Sequence, residues 1–95
     1  MESPRIVHIV LDVLKTHQPA LPEFSELVGG VDGVQRVEVT VDEIDEETVS
    51  LRVIIDGDID YEEVRNNLAR IGAMIQSVDR VVVEDHMRVG CDKLR

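Results

Sequence analysis

Apolar and polar positions alternate at the start of the chain. Val7, Ile9, Leu11 and Val13 share one parity, whereas Ile6, His8, Val10, Asp12 and Leu14 form a mixed set on the other. That pattern predicts a strand with one dry face and one partly wet one. Pro19 and Pro22 break the alternation, after which Leu21, Phe24, Leu27, Val28 and Val31 recur at helical spacing until Gly29, Gly30 and Gly33. Proline suits a first helical turn and glycine an exit, so a helix is expected there.

Two further parity runs follow: Val37, Val39 and Val41, then Val49, Leu51, Val53 and Ile55, separated by the acidic Ile44–Thr48 tip. A hairpin explains them, because a helix would scatter those valines around its circumference. The period then changes to 3.6. Tyr61, Val64, Leu68 and Ile71 make one stripe, with Asp60 placed as N-cap, Glu63 three residues later and Gly72 at the end. Strand character returns over Ile75–Asp85. The order is β-α-β-β-α-β, and two short similar stretches, GVQRVEV and SVDRVVV, sit at matching places in the two halves. With right-handed crossovers this gives an α+β ferredoxin-like sandwich, a four-stranded antiparallel sheet in the order 4-1-3-2 with both helices on one face.

A chain of 95 residues holds a single core. One domain is expected over residues 1–88, with 89–95 as a frayed tail. Only Phe24 and Tyr61 are aromatic, so aliphatic residues must carry the burial. The net charge is −10, and half of the 20 acids lie between Asp42 and Glu63. Nucleic acid and anionic membrane are disfavoured as partners, while a divalent cation or a basic protein is admitted. One cysteine excludes an internal disulfide framework, and no apolar run approaches the ~18 residues of a membrane span. A soluble cytoplasmic protein is expected.

The stretches LDVLKTHQP, GVDGV, VDEIDEETVSLRVIIDGDIDYEEV and IGAMIQSVDRVV together resemble a small archaeal family of uncharacterised ferredoxin-like proteins. The likeness runs from Arg5 to about Val83. It implies the fold, an archaeal cytoplasmic origin and assembly into homo-oligomeric rings, and it supplies no catalytic residues. Where such sequences commonly read KPHEP, this chain has Lys15-Thr16-His17-Gln18-Pro19.

Chemistry has few places to sit. Asp12, Lys15 and His17 form a candidate ligand corner at the end of the first strand, although Asp12 falls on the strand face opposite Leu11 and Val13. The stretch reads as a strand exit first and a ligand corner second. Asp56, Asp58 and Asp60 have the spacing that opens a calcium loop, but Tyr61 and Asn67 stand where that loop needs glycine and glutamate. Asp60 is better explained as a helix cap and Asp58 as a turn residue. The tip residues Asp45, Glu46 and Glu47 read as a solvated turn. No organic cofactor is indicated, and calcium or magnesium is the ion that such acids admit. His86 and Cys91 are too few for a closed soft-metal site.

The Cys-x-x-Cys pair, stacking aromatics and arginine cradle of other ferredoxin-like chemistries are missing. The reading therefore leans away from an enzyme. Ile6, His8, Val10, Leu14 and Ile54 share the outer sheet face and predict an interface. The expected function is a non-catalytic, homo-oligomeric binding or regulatory module holding a small ligand or cation at subunit junctions. Two alternatives stand beside it: a small enzyme using His17 as acid–base and Lys15 as electrostatic stabiliser, and a structural ring or adaptor for a basic protein.

Overall fold

The computed structural model describes residues 4–85. Its elements follow the expected order: β1 (Arg5–Thr16), α1 (Leu21–Gly29), β2 (Val34–Ile44), β3 (Thr48–Ile59), α2 (Tyr61–Arg70) and β4 (Ala73–Glu84). All strand pairs are antiparallel and the sheet runs β2-β3-β1-β4, the ferredoxin-like arrangement.

One face of the sheet is dry because the strand parities agree. Ile9, Leu11 and Val13 from β1 lie opposite Ile55, Val53 and Leu51 from β3, and all six are at most 1% exposed. Phe24 and Val28 of α1 and Val64 and Leu68 of α2 complete that core from above. Each such side chain contributes about 1.5–3 kcal/mol by leaving water. Leu27 is 41% exposed, so α1 is anchored by a narrower stripe than its apolar spacing suggests. At the start of α2, Asp60 Oδ1 accepts from the backbone N–H of Glu62 at 3.1 Å and of Glu63 at 3.4 Å, the cap expected from sequence.

Both central strands run further than the periodicity shows, and β3 passes through an irregularity at Gly57 and Asp58. In β1, His8 pairs with Asp56 but Ile6 pairs with Ile59, so three residues of β3 answer two of β1. Asp58 is accordingly a strand residue and not a turn residue; its N–H donates to the Gly33 carbonyl at 2.8 Å and its carboxylate pairs with Arg5 at 3.1 Å. The same shift moves Ile6 off the outer face. It packs against the core cluster beside Ile59. The expected domain boundary at 88 and the His86/Cys91 pair lie outside the described residues.

Candidate functional site

The sheet face turned away from the helices is the surface to which the sequence assigns an interface. Residues opposite one another in antiparallel strands share a face, so the registers define it row by row. Across β2-β3-β1-β4, the first row is Arg36, Asp56, His8 and Val82, and the second is Glu38, Ile54, Val10 and Arg80. The third is Thr40, Arg52, Asp12 and Ser77, and the fourth is Glu43, Ser50, Leu14 and Met74.

Val10 is the most sheltered residue of this face at 9% exposure, flanked by Ile54 and Arg80 on the neighbouring strands. Leu14, Ile54 and Val82 are half-buried, and Met74 is 58% exposed. No helix of the described residues covers them. The face thus carries an apolar pair, Val10 and Ile54, and a second apolar patch at Leu14 and Met74, with the charged row of Arg52 and Asp12 between them.

One polar contact on it escapes the sequence reading. His8 Nδ1 lies 2.7 Å from Asp56 Oδ1, and the other oxygen of Asp56 is 3.8 Å from Arg36, which also reaches Glu38 at 3.1 Å. Asp56 therefore ties β1 to β3 and leans toward β2. By contrast, among the described residues Asp12, Arg52 and Arg80 take part in no side-chain hydrogen bond or ion pair, although Asp12 and Arg52 are register partners.

The three residues of the predicted ligand corner do not converge. Strand alternation sends Asp12 to the outer face and Lys15 to the helix side, where Lys15 is only 4% exposed. Its Nζ donates to the carbonyls of Thr16 at 2.7 Å and Pro19 at 2.6 Å and lies 5.5 Å above the Phe24 ring. The long side chain turns inward and clamps the β1–α1 connection, and burial of the ammonium lowers its pKa below the ordinary 10.5. His17 is exposed, and its Nε2–H donates to the Asp45 carbonyl at 2.8 Å, tying the strand exit to the β2–β3 tip. Neither side chain is oriented to act jointly on a bound molecule.

The acids are equally dispersed. Asp56 is held by His8, Asp58 by Arg5 and Asp60 by the α2 amides. Among the described residues no group of three or more His, Cys, Asp or Glu is placed to hold a metal ion. A groove of about 530 Å³ between α2 and β4, lined by Tyr61, Arg65, Ala69, Ala73, Met74 and Ile75, offers one charged group. That group, Arg65, is already paired with Glu62 at 2.8 Å. No described helix is long and apolar enough to cross a membrane.

Residues 7–89 match the model of the family DUF211, described as uncharacterized ArCR. An uncharacterized protein of Methanocaldococcus jannaschii, MJ0319, is 36% identical over 78 residues, covering 81% of this chain and 80% of the relative. The chain belongs to the DUF211 family.

Proposed function

We propose that this DUF211 member is a non-catalytic, self-associating module whose copies meet through the outer sheet face. The observation that supports this most is that Val10, Ile54 and Leu14 lie on a face that no other described element covers. Apolar side chains of that kind, interspersed with polar ones on an uncovered face, are what protein interfaces present. The dispersal of Asp12, Lys15 and His17 weighs against the enzymatic alternative, since no acid, base and cation share a pocket.

The role of such a module is to present a composite surface that one copy lacks. Ligands, where bound, would lie at junctions between copies, because the described residues of one chain gather no convergent polar groups in a closed cavity. Native mass spectrometry of freshly purified protein, with and without chelator, tests both parts. A discrete oligomer at micromolar concentration is expected, and any retained ion or metabolite appears as added mass. A strictly monomeric protein would sink the reading.

A further inference from the structure

The two edges of the sheet are finished differently. β2 carries Arg36, Glu38, Asp42 and Glu43 and is bulged at Gln35 and Asp42, charges and irregularities that keep other strands from pairing with it. β4 is bulged only in its first half, where Gln76 and Asp79 are passed over in the register with β1. Over residues 80–84 it inserts no extra residue and holds Val81, Val82 and Val83 in succession. Among the described residues its outer edge pairs with no other strand.

The same half of β4 lacks cover on its helix side. α2 borders Ala73 and Ile75 at the start of the strand and goes no further along it. Val78, Val81 and Val83 stand opposite Leu11, Ile9 and Ile6, on the core side of β1, yet each is between 42% and 53% exposed. An open edge and an open valine stripe thus coincide at the end of β4, where residues 86–95 begin.

We propose that residues 86–95 turn back through a loop at 85–87 and join the free edge of β4 as a fifth, antiparallel strand of the same chain. Val89 then lies opposite Val83, and Asp92 opposite Arg80. The proposal concerns a different surface from the outer sheet face and does not depend on self-association.

Complementarity of the two sequences carries this register. A three-residue loop is a common hairpin connection. It sets Arg88 opposite Glu84, Val89 opposite Val83, Cys91 opposite Val81 and Asp92 opposite Arg80. Opposed residues share a face, so Val89 and Cys91 fall on the helix side with the exposed valines, and the charge pairs fall on the other. One position further along, Lys93 meets Asp79. A loop shorter by one residue would put Arg88 on Val83 and Asp92 on Asp79; a loop longer by one would put Asp92 on Val81 and Lys93 on Arg80. Both bury charges against valine and oppose like charges, so the alternatives are rejected on chemistry. The segment also holds Arg88, Lys93 and Arg95 against the single acid Asp92, in a chain of net charge −10. By itself such a tail frays, as the sequence expects, and the edge of β4 supplies the partner that orders it. Its role there is to cover an edge that would otherwise pair with any extended chain.

Cys91, the one cysteine of the chain, is a built-in reporter. The experiment measures its alkylation by iodoacetamide in the full chain, with each variant's rate divided by its own rate in urea and circular dichroism confirming the fold. In the parent protein the thiol should react at least about tenfold more slowly than in urea, since only the opened tail is attacked. Arg80→Asp and Asp92→Arg should each remove that protection by opposing like charges, and the double variant should restore it. Alkylation of the parent at the unfolded rate would overturn the proposal. Protection indifferent to either single variant, or lost in the double variant, would show that the tail lies elsewhere or in another register, which also overturns it. Protection regained on mixing the two single variants would show that the strand is donated by a second copy, against a strand of the same chain. A monomeric protein that keeps Cys91 protected would sink the self-association reading and leave this one standing.

Discussion

His8 and Asp56, 48 residues apart in sequence, are joined by a 2.7 Å contact between Nδ1 and Oδ1 across the β1/β3 seam. With side chains 25% and 35% exposed, the pair is neither a free surface ion pair nor a buried one. It fixes the orientation of the imidazole, because a neutral His8 must carry its proton on Nδ1 to donate to the carboxylate.

Asp56→Ala is expected to cost about 1 kcal/mol in urea unfolding, the scale of a half-exposed charge-assisted hydrogen bond. A double-mutant cycle with His8→Ala should show a coupling of roughly 0.5–1 kcal/mol. Nitrogen-15 shifts of the neutral ring should report the Nδ1–H tautomer in the parent protein and its loss in Asp56→Ala. Strict additivity of the two substitutions would contradict the contact.

Lys15 lends the fold an alkaline signature. Because burial lowers its pKa below 10.5, the unfolded chain binds more protons than the folded one between the lowered value and 10.5. Stability contributed by this group therefore rises with pH through that window and is flat below it. Neutral lysine keeps two N–H donors, enough for the Thr16 and Pro19 carbonyls. Lys15→Met should be less stable at neutral pH by about 1–2 kcal/mol, through the two carbonyls left without their donor. The gap between parent and variant should widen as pH approaches 10.5. A constant gap from pH 7 to about 10.5 would contradict the account.

Two glycines at positive φ should respond very differently to alanine. At Gly57, φ is +149° and an added Cβ would run into the Gly33 carbonyl oxygen and lie 2.8 Å from the Gln35 nitrogen, both backbone atoms. Gly72, at φ +81°, has open space around the same position. Gly57→Ala is expected to cost about 2–4 kcal/mol through strain and overpacking, and Gly72→Ala about 1 kcal/mol through conformation alone. Equal melting temperatures for the two variants would refute this difference.

The topology is legible in the sequence because the parities of β1, β2 and β3 and the stripe of α2 each point to one face. What periodicity misses has a common cause in bulges and long side chains. The irregularity at Gly57 and Asp58 carries β3 on to Ile59 and returns Ile6 to the core, and alternation alone does not encode such a step. Lys15 looks like a solvated strand end, yet its long side chain turns inward, so that the ammonium lies over the Phe24 ring and finds backbone carbonyls. The His8–Asp56 contact follows once Val10 is set opposite Ile54, since the same register places His8 opposite Asp56. The contact thus needs the pairing of two distant strands and not a local motif.

The central claim is that the outer sheet face holds copies of the chain together. Its most direct test is sedimentation velocity over a micromolar concentration series, comparing the parent protein with Val10→Asp and Leu14→Glu. Each variant places a carboxylate at an apolar position of the outer face, and circular dichroism checks that its fold is kept. The account expects an oligomer for the parent protein and folded monomers for both variants. Oligomers of unchanged size in both variants, with unchanged circular dichroism, would contradict it.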